Sequence, residues 1–133
     1  MSRNLGRNIK EETTGFATGS IVYGIVLAVL LTLVCSAIYA FVIVMAPLSE
    51  KNAPLVARMV AMLAAFFGGA AAGKRSQRTG WFHGALVGLA YMIVVVIFGR
   101  VLSPGVAPAV TTIQRLVIAM VVAAIGGIAG VNL

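Results

Sequence analysis

Four stretches of this chain are almost wholly apolar, and each is about as long as a bilayer is thick. They run Ser20 to Met45, Pro54 to Gly73, Trp81 to Gly99 and Thr112 to Val131. A helix rises about 1.5 Å per residue, so about 20 residues cross a hydrocarbon core of roughly 30 Å. Inside that core no water satisfies the backbone, so a spanning segment is a helix or part of a closed barrel. Barrel strands alternate apolar and polar residues, and these runs do not. The expected fold is all-α: a polytopic membrane protein with four transmembrane helices, at about 20–45, 54–73, 81–99 and 112–131.

Composition agrees. The chain is 61% hydrophobic and 10% charged, where a soluble domain carries about 25% charge. Ten basic and three acidic residues cannot cover the surface of a water-soluble globule, and so much apolar content rules out disorder. The connectors 46–53, 74–80 and 100–111 are short, which makes successive helices antiparallel neighbours. The helices are therefore read as two tandem hairpins. Residues 1–15 are read as a basic cytoplasmic tail and 16–133 as one transmembrane domain. The first run exceeds the apolar core of a signal peptide, about 7–15 residues, and is expected to stay as an anchor.

Orientation follows from lysine and arginine near the helix ends. Arg3, Arg7, Lys10, Lys74, Arg75 and Arg78 lie on one side. Lys51, Arg58, Arg100 and Arg115 lie on the other, two of them inside helices. Both termini are thus expected in the cytoplasm. At helical spacing Arg3, Arg7 and Lys10 share a face. That segment reads either as a solvated tail or as a short helix on an anionic membrane surface. The net charge is +7, and its carriers flank apolar runs. Anionic headgroups are therefore the expected partner, and nucleic acid is not. Cys35 has no second cysteine to pair with and reads as a small apolar residue.

The two halves resemble each other. Thr14-Gly15-Phe16, Gly19, Ile21 and Val22 match Thr79-Gly80-Trp81, Gly84, Leu86 and Val87. Arg58 with Gly69, Ala72 and Gly73 matches Arg115 with Gly126, Ala129 and Gly130. Either a duplication or convergent helix composition would produce this. If it is a duplication, each unit is a hairpin and the pseudo-twofold axis runs along the membrane normal.

Glycines recur at spacings of four: Gly15 and Gly19; Gly69 and Gly73; Gly80, Gly84 and Gly88; Gly126 and Gly130. In lipid, helices associate by close backbone approach at small residues rather than by the hydrophobic effect. All four clusters fall at cytoplasmic helix ends, so a tight inner half and a wider outer half are expected. These glycines either pack the helices of one chain or form an interface with a partner or second copy.

Arg58 and Arg115 lie about one turn inside the outer face. Each alone could snorkel to the headgroups. At equivalent positions of a repeat they would face each other and repel unless an anion lay between them. Gln114 adds a donor, so Arg58, Arg115 and Gln114 are the candidates for contact with an anion or lipid. His83 beside Trp81 reads as a headgroup contact, and Tyr23 and Tyr91 as interface anchors or packing. The chain has no Asp, and its only glutamates are Glu11, Glu12 and Glu50. That argues against a metal site, carboxylate catalysis and a proton relay. No enzyme activity and no cofactor are expected.

The run Gly80-Trp81-Phe82-x-Gly84-Ala85-Leu86-Val87-Gly88-Leu89-x-Tyr91 resembles a family signature. So do Gly68-Gly69-x-x-x-Gly73-Lys74 and the ending Gly126-Gly127-Ile128-x-Gly130-Val131-Asn132-Leu133. Together they resemble the YrzE-like family of small membrane proteins of Firmicutes. The resemblance implies four transmembrane helices in the cytoplasmic membrane of a Gram-positive bacterium. It implies no activity, because that family is functionally uncharacterised. Small multidrug exporters, by contrast, rely on a glutamate in the first helix, which is absent here. Two functions stay open. The first is a non-enzymatic accessory or assembly subunit that binds partner helices through its glycine-rich faces. The second is a small homo-oligomeric transporter or channel for an anion or lipid near Arg58 and Arg115.

Overall fold

In the computed structural model the chain forms helices α1 (Ser2–Met45), α2 (Ala53–Ser76), α3 (Gly80–Leu102) and α4 (Ala109–Asn132), with a short 3-10 turn at Glu50–Asn52. The structure describes the backbone of 2–46, 50–76, 79–105 and 109–133, and the side chains of 18–46, 51–76, 79–105 and 111–133. Each helix holds a segment long and apolar enough to cross a membrane: Thr18–Met45, Ala53–Ser76, Gly80–Leu102 and Thr111–Asn132. The chain is an all-α polytopic membrane protein. The start of α1, the end of α2, the start of α3 and the end of α4 lie on one side, called here the terminal side. The other four helix ends lie on the far side.

The helix ends differ from those read off hydropathy. α1 begins at Ser2 rather than near residue 20. The helix takes in the polar segment and continues from it into the first span. It contains no proline, and its Arg, Lys and Glu are good helix formers. Whether Arg3, Arg7 and Lys10 share a face, and what Gly15 touches, lie outside the described residues. α2 runs on through Lys74 and Arg75, cations that favour a helix C-terminus. α3 stops at Leu102, just before Ser103-Pro104; the residue ahead of a proline is pushed out of the helical region. Gly105 follows at φ 116°, a backbone conformation that glycine adopts at little cost.

α2 packs against all three other helices, and α3 packs against α4 and α1. α1 has no comparable contact with α4. The helices thus form a rhombus with α2 and α3 across its short diagonal and α1 and α4 on opposite flanks. The buried residues gather toward the terminal side and are mostly small: Ser20, Ala28, Ala64, Ala65, Ala72, Val87 and Ala123. Small side chains let the backbones close on each other, which is where packing energy comes from in lipid.

Tyr91 is the largest fully buried side chain, so it is a core residue rather than an interface anchor. Its hydroxyl donates to Thr32 Oγ1 at 2.7 Å, and Thr32 in turn donates to the Ala28 carbonyl at 2.8 Å. A buried hydroxyl needs such a partner, and this one ties α3 to α1. On the terminal side the Arg75 guanidinium lies 4.0 Å over the Tyr23 ring, joining α2 to α1 by a cation–π contact. Trp81 is exposed beside Phe82. His83 Nδ1 turns back on the Thr79 carbonyl oxygen at 2.9 Å.

Candidate anion cleft between helices α2, α3 and α4

The seam between α2 and α4 is made of glycine against backbone. A Cβ added at Gly69 would strike Ala123, and one at Gly73 would strike Gly127. A Cβ at Gly126 would strike Phe66, and one at Gly130 would strike Ala70. These contacts come in twins. Shifting along the repeat turns Gly69 into Gly126 and Phe66 into Ala123, and turns Gly73 into Gly130 and Ala70 into Gly127. Each helix therefore offers the other the same surface, which is the mark of a twofold axis. The contacts advance in the same direction along both helices, so α2 and α4 are parallel and the axis lies along them.

The other seams use the same means. Gly80, Gly84 and Gly88 lie against Gly127, Ala123 and Ala119, so α3 runs antiparallel to α4. α1 meets α2 through Gly24 and Gly68, where a Cβ on either would lie 2.7 Å from the other's carbonyl oxygen. A search for paired glycines misses this crossing. Counting every small residue finds it, because Ser20, Gly24 and Ala28 recur at four, as do Ala64, Gly68 and Ala72. Gly19 is exposed and nothing would lie within 4 Å of its Cβ. Among the described residues it packs against nothing. The repeat makes Gly19 the counterpart of Gly84, which is buried against α4. The α2/α4 half of the repeat is therefore symmetric in packing, and the α1/α3 half is not.

Toward the far side the small residues run out and α2 and α4 part. A cleft of about 440 Å³ opens there, within the range of about 300–1,000 Å³ usual for ligand sites. α2 lines it with Pro54, Ala57, Arg58, Ala61 and Met62. α4 lines it with Thr111, Gln114, Arg115, Ile118 and Ala119, each the repeat counterpart of an α2 residue. α3 contributes Met92 and Val95, and α1 contributes nothing. The spacing on each helix is three, four, seven and eight, a single helical face. The parallel register sets Arg58 level with Arg115, so all three candidate contacts, Arg58, Arg115 and Gln114, open on one cleft.

Arg58, Arg115 and Gln114 are exposed. Among the described residues neither guanidinium has an ion-pair or hydrogen-bond partner. Nor is there a group of three or more His, Cys, Asp or Glu side chains able to hold a metal ion. A guanidinium fork matches an oxyanion bidentately, so the arrangement suits a phosphate-like group.

The family model described as "Protein of unknown function (DUF3792)" matches residues 17–130. The chain belongs to that family. The DUF3792 match takes in the membrane-spanning part of all four helices, and with it the glycine seams and the cleft. No curated protein and no solved structure matches the chain.

Proposed function

We propose that this chain is a non-enzymatic membrane protein that holds an anionic group in the far-side cleft, and that it needs no cofactor. We take it to be a YrzE-like protein of the cytoplasmic membrane of a Gram-positive bacterium. With both termini in the cytoplasm, the cleft belongs to the outer half of the bilayer. The observation that carries the reading is the meeting of Arg58 and Arg115 on one cleft with no carboxylate among the described residues to neutralise them. A charge at mid-bilayer costs about 2.5–3.5 kcal/mol on insertion scales and less near an end. Two like charges at one level repel as well. An oxyanion between them offsets both costs, and the Gln114 amide supplies a further donor.

Docking of partner helices on the glycine faces is disfavoured. Apart from Gly15 and Gly19, the glycines in question lie against helices of the same chain.

The test is thermal unfolding of detergent-purified protein in sodium phosphate against sodium chloride of equal ionic strength. A ligand at a hundred times its Kd stabilises the folded state by about 2.7 kcal/mol. Phosphate is expected to raise the unfolding temperature of the wild type and not that of the Arg58→Gln/Arg115→Gln variant. An equal response in both proteins, or none in the wild type, refutes the reading.

A further inference from the structure

We infer that the occupant of the cleft is an anionic phospholipid, with its phosphate on the two arginines and part of an acyl chain running down between α2 and α4. The inference rests on the anion reading above and names the ligand class. Three features of the cleft carry it.

The lining is graded. Arg58, Thr111, Gln114 and Arg115 lie at the rim. Below them Ala61, Met62, Ile118 and Ala119 make the walls apolar, while Met92 and Val95 of α3 flank the upper part, since the register of Gly84 on Ala123 and Gly88 on Ala119 sets Met92 level with Arg115. Eight residues separate Pro54 from Met62, and eight separate Thr111 from Ala119. At about 1.5 Å per residue the cleft descends roughly 12 Å, about 6 Å of it below the level of the arginines. A free inorganic anion would use only the rim and leave the apolar depth unfilled. An amphiphile with its charge at the headgroup level uses both.

The cleft also has a side door. α3 closes one flank of the α2/α4 pair with Met92 and Val95. The symmetric place on the other flank belongs to α1 by the repeat, but α1 packs on α2 and α3 instead. No helix of this chain therefore covers that flank, and Met62 and Ile118 are 40% and 44% exposed. In a bilayer the medium beside that flank is lipid, so a chain enters sideways without passing through water. Finally, the charges match: two arginines with no ion-pair partner among the described residues favour an anionic headgroup over a zwitterionic one.

The test is native mass spectrometry of the full chain released from nanodiscs of equal parts dioleoyl phosphatidylcholine and phosphatidylglycerol. The wild type is expected to retain phosphatidylglycerol. The Arg58→Gln/Arg115→Gln variant is expected to retain about tenfold less, equivalent to about 1.4 kcal/mol. Ile118→Trp fills the lower cleft from an already exposed position. It is expected to lose phosphatidylglycerol to the same extent while still being stabilised by inorganic phosphate. If Ile118→Trp retains the lipid as the wild type does, the acyl-chain part is overturned and the anion site stands. If the arginine variant retains phosphatidylglycerol unchanged, or phosphatidylcholine is held equally by the wild type, both readings are overturned. Release as two copies without lipid overturns the lipid in favour of a second chain on the open flank.

Discussion

Gly19 and Gly24 offer a matched pair for measuring what backbone contact contributes to this fold. Both lie in α1, five residues apart, so replacing either by alanine changes helix propensity by the same amount, about 1 kcal/mol in water. Their surroundings differ. At Gly19 a new Cβ meets open space. At Gly24 it would lie 2.7 Å from the Gly68 carbonyl oxygen and 3.0 Å from both Ala72 Cβ and Val87 Cγ2, where ordinary contact starts at 3.4 Å. α1 and α2 must then separate by about 0.7 Å, since a backbone oxygen cannot rotate away. A gap of about 0.5–1 Å forfeits a quarter to a half of the dispersion energy of the contacts it opens. Overpacking of a closed site costs about 1–3 kcal/mol. Propensity cancels between the two variants. Gly24→Ala is therefore expected to be less stable than Gly19→Ala by about 1–3 kcal/mol, a factor of about 5 to 150 in the unfolding equilibrium. The assay is unfolding in mixed micelles of rising sodium dodecyl sulfate content, followed by circular dichroism. If the two variants agree within about 0.5 kcal/mol, the size of ordinary surface effects, the α1–α2 crossing is not where this structure puts it.

The twin contacts of the α2/α4 seam make Gly69→Ala and Gly126→Ala destabilising by similar amounts; a large difference in the same titration would break the twofold relation. Tyr91→Phe removes the donor to Thr32 and is expected to cost about 0.5–1.5 kcal/mol. Thr32→Val should cost a similar amount. The double variant should cost less than the sum, because both remove one bond, and full additivity in a double-mutant cycle would show that the hydroxyls do not meet. Arg75→Leu loses the cation–π contact with Tyr23 at an exposed site, about 0.5–1 kcal/mol. Its effect should vanish in a Tyr23→Leu background.

The four spans are legible in the sequence because an uncharged apolar run of about 20 residues matches the thickness of a bilayer and little else. The equivalence of Arg58 and Arg115 is legible too, since arginine is rare in apolar runs and each precedes its glycine pair by the same distance. The start of α1 is not, because hydropathy marks where the membrane ends and not where the helix does. Gly19 and Gly84 sit in nearly the same local sequence, yet only Gly84 is packed. The difference arises from which helix lies opposite, and no local motif encodes that. The Tyr91–Thr32 bond joins residues 59 positions apart and appears only once α1 and α3 are placed. The depth of the cleft likewise depends on three helices at once.

The parallel course of α2 and α4 has an electrical consequence. Antiparallel neighbours oppose their macrodipoles, whereas these two add. Each helix N-terminus carries roughly half a positive charge, and Pro54 and Thr111, in the first turns of α2 and α4, both line the cleft. The negative ends of α1 and α3 share that side, but no residue of their last turns does. The backbone therefore gives the rim a positive potential that no side-chain substitution removes. A chain stripped of both arginines would still repel cations from the cleft mouth and would keep a weak, salt-screened preference for anions.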